Sequence, residues 1–295
     1  MLDTKLYSLI KVAELGNYTR AAESLGFTQP AVSQHIKLLE EEYGIRIFGR
    51  VGQKLVITRE GERLLQAAKS MLAIHNNLLS EFSERDHGTR DLCIGITHTM
   101  ESNLIASVIT RYAIENDVTV KLITDTLAGL SSRIKNYEID AAVVDGSVAD
   151  PELSSTTLDT DSLMLITAPE HRFSSKNMVS IEDIKSERLI LRLPSSGTSN
   201  MFKASLQSRG IDLGEFNIIL EVDNIATIKD MIRLNYGVSV LAKSACADEL
   251  RKGKLAALPI EDMSMLRELN IIYSKSFQYK NFITSVERLY AETNK

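Results

Sequence analysis

Cysteine is scarce in this chain. Cys93 and Cys246 are the only two, both in apolar surroundings and without metal-ligand spacing. They read as small buried hydrophobes, with a redox pair as the alternative that nothing else supports. No run approaches the length of apolar chain that a membrane-spanning helix needs, about eighteen residues. The opening MLDTKLYSLIKV carries an acid at Asp3 and has no small-residue cleavage site, so neither a signal peptide nor export is expected. A cytoplasmic protein is the expectation. Catalytic signatures are missing as well: no G-x-S-x-G elbow, no G-x-x-x-x-G-K-[ST] loop, and no G-x-G-x-x-G after a strand. The histidines at 35, 75, 87, 98 and 171 show no paired metal spacing. No catalytic residue, metal or cofactor is expected, and an enzyme is not the reading.

What is present fits a folded chain of more than one domain. The 295 residues are 44% hydrophobic and 25% charged, ordinary proportions for a globular protein and ample length for a small unit plus a larger one. The net charge of −5 is unevenly spread: residues 1–69 hold ten Lys and Arg against eight Asp and Glu, and the remainder holds 24 against 31. A balance near +2 at the N-terminus is too modest to establish nucleic-acid binding, so the placement of charges carries more weight.

Leu2, Leu6, Leu9, Ile10, Val12 and Ala13 mark the apolar face of a first helix that stops near Gly16-Asn17. Thr19 is a plausible N-cap for a short second helix, Arg20 to Leu25, ended by Gly26 at a tight turn. Thr28 or Gln29 caps a third helix that begins at Pro30, whose missing N–H costs nothing in a first turn. In PAVSQHIKLLEEEYG, Val32, Ile36, Leu39 and Tyr43 are expected inward, and Ser33, Gln34, His35 and Lys37 outward near the start. Hydroxyl, amide and ammonium groups at the start of such a helix are suited to reading base edges in a major groove. Glu40 to Glu42 are expected away from phosphate. Ile45 to Phe48, a turn with Gly49 and Gly52, and LVIT at 55–58 suggest a two-stranded wing whose Arg50 and Lys54 could meet phosphates. Thr58 caps a long helix from Arg59 to about Arg85. Its stripe of Leu64, Leu65, Ala68, Met71, Leu72, Leu78, Leu79 and Phe82 calls for a partner helix. From periodicity alone, a small three-helix domain that binds protein or nothing stays open.

The run AAESLGFTQPAVSQHIKLLEEEYGIRIFGR, continued by LVITREGERLL, resembles the DNA-binding signature of LysR-type transcriptional regulators over residues 2–66. It includes Gln29-Pro30-Ala31-Val32-Ser33, Leu39-Glu40, Phe48-x-Arg50 and Thr58-x-x-Gly61. One departure is Gly16-Asn17-Tyr18, where the family pattern has Gly-Ser-Phe. The resemblance implies a winged helix-turn-helix over residues 1–58 and a linker helix and hinge over 59–90, which makes dimers. It implies an effector-binding domain over 91–295 that makes tetramers. The DNA-contacting candidates are then Arg20, Thr28, Gln29, Pro30, Ser33, Gln34, His35, Lys37, Arg50 and Lys54, with double-stranded operator DNA as partner and RNA polymerase as a further contact.

After a polar hinge at 85–90, short apolar runs alternate with helical periods: LCIGIT (92–97), a helix near 100–115, VTVKLIT (118–124), a helix at 127–137, and DAAVVD (140–145). The pattern restarts with LMLITA (163–168), RLILRL (188–193), a helix at 199–209, FNIILEV (216–222), a helix at 225–235 and VSVLA (238–242). ELNIIYS (268–274) and a last helix close the chain. This is an α/β pattern expected to build parallel sheet with helices on both faces. Two Rossmann-like halves, about 91–161 with 268–295 and 162–267, are similar to the LysR-type effector domain and to periplasmic solute-binding proteins. A solute carrier without DNA function is the rival reading, and the QPAVSQH helix argues against it.

Ligands of open α/β sheets lie beyond the carboxyl ends of the strands. Three such ends are polar: Thr97-His98-Thr99, Ser195-Ser196-Gly197-Thr198 and Asp223-Asn224. Ser196-Gly197-Thr198 is the best anion cradle, since hydroxyls and unpaired N–H groups at a helix start favour negative charge; plain N-capping explains the same residues. His98 reads as an ordinary hydrogen-bonding group at a strand end, with a partner for an anion as the alternative. Asp145-Gly146 reads as a turn after its strand, with a ligand role as the alternative. The effector candidates are Thr97, His98, Thr99, Thr167, Ser196, Gly197, Thr198 and Asn224. A LysR subgroup that includes regulators of carbon fixation and sulfur assimilation is similar in its Ser-Gly-Thr, usually followed by Arg. Ser199 stands there instead, which argues against a strongly charged phosphate effector. Arg192 and Lys203 are substitutes or mere surface charge, and a small anion or carboxylate is expected.

Overall fold

A computed structural model of the chain describes residues 3–52, 54–83, 92–275, 277 and 280–293. The chain divides into two compact units, Met1–Arg90 and Asp91–Lys295. The first begins with α1 (Thr4–Leu15), α2 (Tyr18–Leu25) and α3 (Gln29–Tyr43). Asn17, and not Thr19, caps α2, its side chain accepting from Thr19 N and Arg20 N. An Asn carbonyl reaches two orphan amides in an extended cap geometry, and this lets the helix start two residues early. Gly26 turns the chain in left-handed backbone at φ 69°, and Thr28 caps α3 through Ala31 N. Val32, Ile36 and Leu39 are buried as expected, but Tyr43 is 48% exposed, because it sits in the last turn, past the packing of α1 and α2.

The wing is a hairpin of β1 (Phe48–Val51) and β2 (Lys54–Ile57), with Val51 opposite Lys54. Pairing starts at Phe48 rather than Ile45, because Ile47 is drawn fully into the core with Leu6, Leu9, Ile36, Leu39 and Ala68. Ala68 belongs to α4 (Arg59–Ser83), whose Leu64, Leu65 and Leu72 cover the same core. Thr58 Oγ1 accepts from Gly61 N at 3.0 Å and donates to the carbonyls of Arg46 and Ile47. This explains Thr58-x-x-Gly61: a Cβ on Gly61 would collide with the Ile47 carbonyl that the threonine binds. Further along α4, Met71, Ile74, Leu78 and Leu79 are about half exposed. Leu2, Arg85 and the polar segment 85–90 lie outside the described residues, as does the Phe82 side chain.

The second unit opens with β3 (Leu92–Thr97), α5 (His98–Glu101), α6 (Ile105–Asn116), β4 (Val120–Asp125), α7 (Leu127–Lys135) and β5 (Ala141–Asp145). The helix expected near 100–115 is thus two, broken by a turn at Ser102–Leu104. β3 lies between β4 and β5, parallel to both. Next comes β6 (Leu153–Thr167), a fifteen-residue strand only whose second part shows in the sequence as a run of apolar residues. Its first part pairs antiparallel with β11 (Leu266–Ser274), and its second part pairs antiparallel with β9 (Ser239–Ala242) and β10 (Ala256–Leu258). Between them lie α8 (Ile181–Lys185), β7 (Arg188–Arg192), α9 (Gly197–Gln207), β8 (Asn217–Val222), α10 (Ile225–Arg233) and α11 (Ala247–Arg251), and α12 (Lys280–Thr293) follows β11.

The sheet is therefore mixed rather than parallel. Alternation of polar residues in LSSTTLDTDS hides a strand from a reading keyed to apolar runs. β6 and β11 join two halves with separate cores. Ile94, Ile109, Val143, Ile271, Phe282 and Leu289 fill one. Leu165, Phe173, Leu191, Phe202, Ile228 and Leu241 fill the other.

Candidate functional site

In the first unit the start of α3 carries Gln29, Pro30, Ser33, Gln34 and Lys37, all exposed, as are Arg20 and Thr28. Burial of Val32 and Ile36 fixes the helix so that these polar residues share the outer face. Lys37 makes an exposed ion pair with Glu41 at 3.6 Å, too weak to withhold it from another anion. His35 departs from expectation. Its Nδ1 bonds the buried Ser8 hydroxyl at 2.8 Å and its ring packs edge-on to Phe27, so it is half-buried and ties α3 to α1. Of the acidic end, Glu40 turns back to accept from Ile47 N at 2.7 Å, and Glu42 pairs with Lys5 at 2.9 Å. On the wing, Arg50 and Lys54 are exposed.

In the second unit, strand ends and helix starts from both halves converge on a cavity of about 340 Å³, within the range of small-ligand sites. One wall is Thr97, His98 and Thr99 at the β3–α5 junction, Asp125 to Ala128 at the β4–α7 junction, and Asp145 at the end of β5. The other is Arg192 at the end of β7, then Ser195, Ser196, Gly197 and Asn200 leading into α9. A second lobe of about 510 Å³ shares His98 and is lined by Glu101, Ser102, Thr124 and the start of α10, from Asp223 to Ala226.

Ser196 caps α9 by accepting from Ser199 N at 3.1 Å. The first amides of α9, those of Gly197 and Thr198, precede any intrahelical bond and present donors and a partial positive charge. A Cβ built on Gly197 meets no heavy atom within 4 Å, so this glycine keeps the cavity wall open rather than relieving a clash. Arg192, read as surface charge or a substitute cation, is 2% exposed. Its Nη2 donates to Asp223 Oδ1 at 3.1 Å, and its buried Nε has no partner. Ser199 Oγ donates to the Arg192 carbonyl at 2.5 Å and holds the strand end in place. Lys203 is exposed, on α9.

Two expected ligand residues lie elsewhere. Thr167 is fully buried in β6 and its hydroxyl donates to the Ala168 carbonyl at 3.1 Å. Thr198 is buried beneath the cavity wall, where its Oγ1 accepts from Arg267 Nη1 at 3.4 Å. Both face the core because their neighbours at helical or strand spacing, Phe202 and Leu165, set the register. Asn224 caps α10 through Thr227 N at 3.1 Å and lines the second lobe only. Asp145 is not merely a turn residue. Its carboxylate is buried between Arg267 and the Thr97 hydroxyl, and the turn itself falls to Gly146 at φ 123°. Arg267 also stands 3.6 Å from Asp161, which accepts from Ser244 Oγ at 2.7 Å. This network was not anticipated, since Asp145, Asp161 and Arg267 are far apart in sequence and sit in strands with no motif.

Burial pushes the Cys246 thiol up to about 12 and raises that of Cys93, which disfavours the reactive thiolate in both. Among the described residues no group of His, Cys, Asp and Glu could hold a metal ion, and no helix is long and apolar enough to cross a membrane.

Comparison with known proteins agrees with this architecture. Residues 4–62 match the family description "Bacterial regulatory helix-turn-helix protein, lysR family", and residues 85–286 match "LysR substrate binding domain". A probable RuBisCO transcriptional regulator of Cyanophora paradoxa is 31% identical over 278 residues, 91% of this chain and 84% of that relative. The HTH-type transcriptional regulator CysL of Bacillus subtilis (strain 168) is 25% identical over 91% of this chain and 90% of that one. These relatives agree with the subgroup suggested by Ser196-Gly197-Thr198. Full-length LysG of Corynebacterium glutamicum, solved with bound effector Arg, superposes with a TM-score of 0.70 at 20% identity over 99% of each chain, and so shares the fold. The chain belongs to the LysR family, as a DNA-binding transcriptional regulator whose helix-turn-helix is followed by an effector-binding domain.

Proposed function

We propose that this regulator reads its operator with the exposed start of α3 and senses a small anion in the cleft between the two halves of its second unit. Gln29, Pro30, Ser33, Gln34 and Lys37 contact base edges, with Thr28 and Arg20 beside them. Arg50 and Lys54 of the wing bind phosphate. His35 serves mainly to hold the helix. Dimers form through the half-exposed apolar stripe of α4, and tetramers through the second units. The protein works in the cytoplasm, and its output passes to RNA polymerase. The cleft binds its ligand without transforming it.

The observation that carries the anion reading is Arg192, a buried guanidinium with an unpartnered Nε, in the cavity wall beside the start of α9. Thr97, Thr99, Ser196 and Gly197 line the same cavity, with His98 bridging to the second lobe. Anion binding draws together α9 of one half and the β3–α5 junction of the other. The ligand shifts the angle between halves only through its different affinity for the two arrangements, and the shift alters how DNA is held. The test is a thermal-shift screen of the full chain against small anions, sulfur metabolites, amino acids and sugar phosphates, with Arg192→Gln as control. A saturable rise in melting temperature that the variant loses supports the reading. A rise that the variant keeps overturns it.

A further inference from the structure

The charge of the cleft limits what it can accept. Among the described residues lining its two lobes, Arg192 is the only Lys or Arg, whereas Asp125, Asp145, Glu101 and Asp223 are carboxylates. Two of these are neutralised from behind, Asp125 by Arg133 at 3.1 Å and Asp145 by Arg267. The cation that remains for a ligand, Arg192, is already matched by Asp223 through Nη2, while its buried Nε has no partner and the first amides of α9 precede any intrahelical bond.

We propose that the effector is a small monoanion and that Asp223 sets this limit as an internal counter-ion. The proposal rests on the cleft being the anion site. A single negative charge engages Nε and the α9 amides while Asp223 keeps or yields Nη2, and the helix start adds about half a positive charge. A dianion would place a second negative charge beside Asp223 and Glu101 with no second cation to meet it. Ser199 is consistent with this, because its hydroxyl is spent on the Arg192 carbonyl and adds no charge. The Asp223 side chain is 55% exposed, and Asn224 rather than Asp223 caps α10, so Asp223→Asn keeps that cap and an oxygen that can accept from Arg192 while removing the charge.

The experiment is calorimetry on the full chain at constant ionic strength with two tetrahedral oxyanions of different charge, methanesulfonate and sulfate. The wild type is expected to prefer methanesulfonate. Asp223→Asn is expected to shift the preference toward sulfate by about tenfold, a Coulomb effect discounted for a half-exposed carboxylate. Arg192→Gln is expected to lose both anions, and Gly197→Ala, which adds a methyl in open space, to weaken both if Arg192→Gln does not fold. Loss in Arg192→Gln or Gly197→Ala, with an unchanged ratio in Asp223→Asn or a wild-type preference for sulfate, overturns the charge limit and leaves the cleft reading standing. Undiminished binding in those two variants, or no binding of either anion to wild type and Asp223→Asn, overturns the cleft reading and this inference with it.

Discussion

Gly197→Ala separates a residue kept for the fold from one kept for the ligand. Gly197 is the first residue of the eleven-residue α9, its φ is not positive, and an added Cβ finds no heavy atom within 4 Å. Alanine there restricts the unfolded chain without straining the folded one, worth about 0.4–1 kcal/mol of added stability. For a unit of this size that corresponds to a rise of roughly 1–3 °C in melting temperature. Gly197 lines the cleft, so on the proposed reading a methyl beside the α9 amides hinders the anion and effector affinity should fall by about tenfold or more, the size of one lost charge-assisted hydrogen bond. Gly95→Ala is the contrast. Its Cβ would lie 2.5 Å from Leu130 Cδ2 and 2.8 Å from Ile139 Cδ1, an overpacking that costs about 1–3 kcal/mol. Differential scanning calorimetry and ligand titration of both variants measure the two effects. A Gly197→Ala protein that melts lower than wild type, or binds the effector equally well, refutes the reasoning.

Other consequences concern buried charge and the thiol. Arg267→Met leaves Asp145 and Asp161 buried without their cation and should destabilise the second unit by about 3–5 kcal/mol, read from urea unfolding; a loss below about 1 kcal/mol, the scale of an exposed pair, would show that the network contributes little. Thr198→Val, which removes an Arg267 partner but no cavity-lining group, should lower stability by about 1 kcal/mol while effector affinity holds, and the reverse pattern would place Thr198 in the site. Burial raises Cys246 from 9.0 and Tyr290 from 10.0, each to about 12. Both groups therefore ionise more easily unfolded, and stability should fall as pH climbs from about 9 toward 12. Alkylation of Cys246 at pH 8 should track global unfolding in denaturant, and fast labelling of the native protein would contradict its burial.

The first unit was almost wholly legible in the sequence, because capping, helix-ending glycines and the spacing of Val32, Ile36 and Leu39 are local signals. Its errors were local too. Asn17 outcompeted Thr19 for a cap one or two residues away, and Tyr43 lost its burial at a helix end. In the second unit the apolar runs of β3, β5 and β9 announced themselves, but the polar first part of β6 did not, so the mixed character of the sheet was hidden. The strand ends that form the cleft were found at Thr97, Ser196 and Asp223 because strand-to-helix junctions are readable. What each side chain does there was not. Whether Arg192 faces solvent or the cavity, and whether Thr198 faces the cavity or Arg267, depends on packing between residues 31 and 69 positions apart. No local pattern encodes Asp145, Asp161 and Arg267 meeting across β5, β6 and β11.

The central claim is that the start of α3 reads DNA sequence. The direct measurement is selection of bound sites from a random double-stranded library by wild type and by Gln34→Ala, since Gln34 is exposed beside the buried Val32 and Ile36 and bears no part of the core. Wild type should enrich a motif of two related half-sites, and Gln34→Ala should lose preference at one position of each half-site, by about 1–3 kcal/mol, while keeping its general affinity for DNA. A wild-type protein that enriches no motif, or a Gln34→Ala protein that selects the same motif with the same stringency, would contradict the account.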